Sequence, residues 1–170
     1  MVILWAVVSA IRHKQTKSFS PEDEAVYTDG DLKVSVFYNR PYKKGRVIFG
    51  ELVPYGKVWR TGANEATVFE TNHTLTFQGK KLQAGRYSLW TIPDSTDWQV
   101  IFNAQHGQWG INSIGEANRD PSLDVLTVSA HSVVQDREFE QFTIQFNRIG
   151  EEAEMVLLWD KTVVAVHFTY

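Results

Sequence analysis

Cysteine is missing from all 170 residues. That excludes disulfides, thiolate nucleophiles and every zinc or iron–sulfur site that needs cysteine ligands. A basic excess is missing too. Lysine and arginine total 17 against 20 aspartates and glutamates, for a net charge of −3. No stripe of Lys and Arg interrupts this balance, so a nucleic-acid partner is not expected. The five histidines show neither H-x-H nor H-E-x-x-H spacing, and no bound metal or cofactor is expected. No G-x-S-x-G elbow, phosphate-binding loop or dinucleotide fingerprint occurs. Helical periodicity is also scarce.

The apolar side is well supplied. Hydrophobic residues make up 43% of the chain and aromatic residues 13%, which suits one globular domain and argues against disorder. The first residues, Met1 to Ile11, form a nearly unbroken apolar run that Arg12, His13, Lys14 and Lys17 follow at once. A bilayer-spanning helix needs about 20 apolar residues, so the run is short for one. The abrupt switch from apolar to basic reads as the remnant of a signal or membrane anchor over residues 1–17, with a first packed strand as the alternative. Residues 18–31 then read as a polar linker, with at most one helical turn at Ser20-Pro21-Glu22-Asp23. The cell envelope is the expected location, with the N-terminal segment associated with a membrane.

From Leu32 onward the hydrophobic period is two. Val34, Val36 and Tyr38 alternate with Lys33, Ser35, Phe37 and Asn39, Trp98, Val100 and Phe102 with Gln99, Ile101 and Asn103, and Phe142, Ile144 and Phe146 with Gln141, Thr143 and Gln145. Such alternation sets one row of side chains on a core and the other toward solvent. Further strands are expected at Ala66–Glu70, His73–Phe77, Arg86–Ile92, Val125–Ala130, Met155–Trp159 and Thr162–Phe168. Turn residues separate them, including Pro93-Asp94-Ser95 and the two-residue link Asp160-Lys161. Many short strands without helices predict an all-β fold over residues 32–170, an antiparallel β-sandwich with long loops at one end.

Two stretches break the pattern. One is the Gly- and Pro-rich segment from Pro41 to Gly62, and the other is the polar segment from Ala104 to Ser122. Long structureless loops in compact domains are commonly functional.

The run KGRVIFGELVPYGKVWRTGANEAT, from Lys44 to Thr67, resembles the bacterial family catalogued as domain of unknown function 2911. Ala84 to Pro93, Trp98 to Asn103 and Gln108-Trp109-Gly110 carry the same resemblance, which extends over about Leu32 to Phe168. It implies an exported or membrane-tethered β-sandwich and brings no established activity.

The residues themselves suggest where a site would lie. Within Trp59–Glu65, Glu65 is a candidate general acid or base, Arg60 a candidate clamp for a carboxylate or phosphate, and Asn64 a candidate donor to a carbonyl or sugar hydroxyl. The bland alternative pairs Arg60 with Glu65 and spends Asn64 on its own turn. Arg40 and Arg46 are candidate anion ligands, Trp59 and Trp109 candidate stacking surfaces, and Asn103 a loop-facing polar group. Asp120 and Asp124 flank Pro121 without the spacing of a calcium loop. Together these point first to a module that binds a polar ligand, a glycan or cell-wall-type peptide. A hydrolase or lyase using Glu65 with Arg60 and Asn64, and a domain that docks an envelope protein, are the alternatives.

Overall fold

The computed structural model describes residues 16–170, so the apolar N-terminal run lies outside the described residues. Among the described residues nine strands form, joined by turns and two long loops. Seven of them make one antiparallel sheet in the order β1-β2-β3-β6-β7-β8-β9, which curls into a half-barrel. The all-β fold expected from the alternating sequence is present.

β2 (Leu32–Asn39) follows the alternation: Leu32, Val34, Val36 and Tyr38 are buried while Lys33 and Phe37 are exposed. β3 (Thr67–Thr71), β6 (Gly85–Ile92) and β7 (Asp97–Asn103) continue the sheet and also bury residues of the opposite face. The short hairpin of β4 (Leu75–Phe77) and β5 (Lys80–Leu82) packs on the sheet's apolar face. Its Phe77 sits edge to face or tilted against Phe69, Phe102 and Phe168. These belong to one continuous hydrophobic cluster. A smaller cluster of Ala66, Trp90 and Ile101 packs against Val58, Ile92 and Ala117, which come from the two long loops and β6.

Two strands are longer than their sequence suggests. β8 (Asp124–Ile149) joins the expected segments 125–130 and 142–146 into one strand. Its first part pairs with β7, and from Ser132 onward it pairs with β9. Register shifts between Val134 and Phe139, and again between Phe139 and Thr143, bend it from one partner to the other. β9 (Glu152–Phe168) runs straight through Asp160 and Lys161, which therefore form no hairpin link. Asp160 instead takes a left-handed φ of 53° opposite the irregular Phe139, so the polar pair marks a bulge.

The N-terminal reading also changes. The expected linker 18–31 contains β1 (Glu22–Asp29), an edge strand paired along its length with β2. Residues 16–19 form one helical turn just ahead of Ser20, and Pro21-Glu22-Asp23 starts the strand rather than a helix. In β1 only Tyr27 is buried. An edge strand rich in acids hides its period from the sequence while discouraging edge-to-edge pairing with another chain.

The bend in β8 brings its second half back to the β1–β2 edge. The Ile144 amide donates to the Tyr38 hydroxyl at 2.8 Å, and the Phe142 amide donates to the Pro41 carbonyl at 3.0 Å. This return sets the loop that follows β2 against β8 and β9, and so builds the walls of the site.

Candidate functional site

The segment Trp59–Glu65 lies between the β2 loop and β3, held by backbone bonds on both sides. Trp59 exchanges hydrogen bonds with Thr91 of β6, at 2.7 and 3.0 Å. Thr67 donates its hydroxyl to the Thr61 carbonyl at 2.7 Å. Between these anchors the chain turns sharply, with Thr61 and Asn64 at φ 52° and 57°. Gly62 closes the turn at φ 153°, where a Cβ would stand 2.9 Å from the Asn39 carbonyl oxygen.

The long loop after β7 docks on this same segment. The Ala66 amide donates to the Gln108 carbonyl at 3.0 Å, and the Gly110 amide to the Asn64 carbonyl at 2.9 Å. Glu65 and Trp109 face each other as an isolated antiparallel bridge. Two motifs some 45 residues apart in sequence thus meet as neighbouring strips of backbone.

Arg60, Asn64 and Glu65 are close together but do different things. Asn64 donates to Asn39 Oδ1 at 3.2 Å, and Asn39 donates in turn to Glu65 Oε2 at 3.1 Å. The other Glu65 oxygen faces Lys17 Nζ at 3.3 Å, and the side chain remains 30% exposed. Asn64 and Glu65 are therefore joined through Asn39, a residue that sequence reasoning passed over because it looked like an ordinary strand end. Arg60 does not pair with Glu65. Among the described residues its guanidinium makes no ion pair or hydrogen bond, and its Nε is buried without an acceptor. Burial lowers its pKa from the ordinary arginine value.

The remaining candidates divide between the cavity and the scaffold. Arg40 spends its guanidinium on Asp23, the Phe142 carbonyl and Thr143, tying β2 to β1 and β8. Asn103 is fully buried and bonds the Asp120 carbonyl, the Asp124 carboxylate and the Gln105 amide. It closes the long loop at its base, with Asp124 also paired to Arg119 at 2.8 Å. Trp109 is half-buried in that loop, and its carbonyl accepts from Asn118 at 3.0 Å. Arg46, Trp59, Arg60 and Asn64 instead line one open cavity of about 510 Å³. Trp59 is stacked on Trp159 with an 18° interplanar angle and donates its indole N–H to the Gly62 carbonyl at 3.0 Å. Arg46 donates to the Lys43 carbonyl at 3.0 Å and also to that of Tyr42, holding its own turn.

Trp159 is a residue the sequence did not flag. It is 2% exposed and lines the cavity, and its Nε1 has no acceptor among the described residues. Its position in an apolar strand pattern gave no signal of this. A second cavity, about 550 Å³, lies between hairpin β4–β5, β8 and β9. It contains none of the sequence-derived candidates. Among the described residues no group of three or more His, Asp or Glu is placed to hold a metal ion.

An all-β domain with a basic cavity beside its first long loop is the class that this fold and site define. A family model described as a protein of unknown function (DUF2911) matches residues 20–168, and the chain belongs to that family. No curated protein and no solved structure shows a significant match.

Proposed function

We propose that this domain is a binding module for a small polar ligand, of the glycan or cell-wall-peptide kind, working at the cell envelope. One observation carries the reading. Arg60 Nε and Trp159 Nε1 are buried donors without acceptors, and both residues line one open cavity. A buried donor left unpaired costs about 1–3 kcal/mol, and a ligand oxygen that accepts from it recovers much of that. Beside these donors the cavity offers aromatic and aliphatic surface from Trp59, Leu52 and Val53. Apolar walls with a few directed polar groups are the usual composition of a small-ligand site.

Binding is favoured over catalysis by what Glu65 does. Its oxygens face Asn39 and Lys17, and it is not part of the cavity wall. The envelope assignment rests on the apolar-to-basic switch at Met1–Lys17.

The test is a thermal-shift screen of the whole chain against glycans and cell-wall peptides. A ligand at a hundredfold excess over its dissociation constant stabilises by roughly 2.7 kcal/mol. The shift should vanish in Ala63→Trp, which places an indole in the cavity wall, while the unliganded protein melts nearly as before. No shift with any polar probe, or a shift that Ala63→Trp leaves intact, defeats the reading.

A further inference from the structure

The cavity wall has one sign of charge. Lys44, Arg46 and Arg60 line it, and among the described residues no Asp or Glu does. The chain as a whole is net negative, so three cations without an acid in one wall depart from the composition around them. The depth of Arg60 separates it from ordinary surface basicity. Other arginines reach a carboxylate: Arg40 meets Asp23 at 2.9 Å, Arg119 meets Asp124 at 2.8 Å and Arg148 meets Asp29 at 3.0 Å. Arg60 is more buried than a surface arginine and meets none among the described residues. A desolvated guanidinium stays charged, and burial without a counter-ion is costly unless something supplies one.

Around that charge the cavity is preorganised. The Arg60 stem is wedged against Gly110, and Trp159 sits at the cavity with a free indole N–H beside the stacked Trp59 ring. Lys44 lies 4.6 Å over the Phe19 ring, at the outer part of the same wall. A guanidinium presents parallel N–H groups that match the two oxygens of a carboxylate. The aromatic side chains of Trp59 and Trp159 in the wall suit the apolar side of a ring or chain.

We infer that the cavity takes a ligand bearing a carboxylate, held by Arg60 with Lys44 and Arg46 as outer cations and with its body against Trp59 and Trp159. This rests on the binding reading above and narrows it to acidic ligands. Uronic-acid sugars and peptide C-termini share the chemistry.

Calorimetry on the full chain separates these possibilities. The probes are an oligogalacturonate, its methyl ester, a cell-wall-type peptide with a free C-terminus and the same peptide amidated. The acidic member of at least one pair should bind, and its neutral counterpart should bind at least about tenfold more weakly, as expected for loss of a charge-assisted contact. Whichever pair shows the effect identifies the source of the carboxylate. Arg60→Gln should weaken the acidic probe by a similar factor, and Arg60→Lys by less. Should Arg60→Gln fail to fold, salt gives an independent readout on the unaltered protein. Raising salt from about 0.1 M to about 1 M shortens the screening length from about 10 Å to about 3 Å, and the affinity should fall with it. Equal affinity for acidic and neutral probes, unmoved by salt, overturns the carboxylate inference and leaves the binding module standing. Failure of every probe to bind overturns both.

Discussion

The side chain of Arg60 crosses the α-carbon of Gly110 so closely that a Cβ there would lie 2.0 Å from Arg60 Cδ and 2.8 Å from its Cβ. The loop after β7 therefore confines the Arg60 side chain without any polar contact to it. Gly110→Ala should displace Arg60, destabilise the domain by about 1–3 kcal/mol as overpacking does, and weaken any ligand held by that guanidinium. In a double-mutant cycle with Arg60→Ala, urea midpoints should show less than additive loss, because truncating Arg60 removes the clash with Cγ and Cδ and leaves only that with Cβ. Additive losses would mean that Gly110 acts through something other than this contact.

Asn39 is the joint between Asn64 and Glu65. Asn39→Ala leaves the buried Asn64 amide without its acceptor and Glu65 Oε2 without its donor, and should cost about 1–3 kcal/mol in denaturant unfolding. Asn64→Gly should cost less than Asn64→Ala. Both lose the bond to Asn39, but only glycine relieves the left-handed φ of 57°. The reverse order would show that backbone strain at this turn is not what selects asparagine.

Asn103 separates scaffold from site. Its three hydrogen bonds all close the base of the long loop, and it is absent from the cavity wall. Asn103→Leu should lower stability by about 1–3 kcal/mol, through unpaired buried groups, while leaving ligand affinity within about twofold at a temperature where the variant is folded. A selective loss of affinity would place Asn103 in the binding site after all.

Asp120 caps the short turn Pro121–Leu123. The Ser122 hydroxyl and, secondarily, the Ser122 amide donate to its carboxylate and hold its pKa below the ordinary 3.8. A depressed folded-state pKa contributes stability above the unfolded pKa, and that contribution is lost as pH falls through the folded value. The affected window is thus below about pH 3.8. Ser122→Ala should move the Asp120 carboxyl resonance midpoint upward in an NMR titration and shrink the acid-induced loss. An unchanged midpoint would show that the hydroxyl contributes nothing to holding the carboxylate ionised.

Much of the sheet was legible because its strands set a row of apolar side chains on the core. In β2 the alternation of Val34-Val36-Tyr38 matches the buried row, whereas in β7 Trp98, Val100 and Phe102 are buried and so are Ile101 and Asn103 on the other face. Strands that lack a buried row were harder to see. β1 shows acids where a core strand shows valines, and it read as a linker. The continuity of β8 and β9 was hidden because their bulges fall on polar residues, which look like turns along a chain and become bends only when a partner strand runs opposite.

The order of residues alone determined an all-β domain, no cysteine chemistry, and a suspicious polar cluster at Trp59–Glu65, since each depends on residue type and near-neighbour spacing. Tertiary structure decided how that cluster is divided. Asn39 arrives from β2 and engages both Asn64 and Glu65, while Gly110 arrives from a distant loop and packs against the stem of Arg60. Hydrogen-bond partners and desolvation are properties of groups that meet in space, and no spacing along one chain encodes which of two neighbouring side chains will be paired and which left with its charge unanswered.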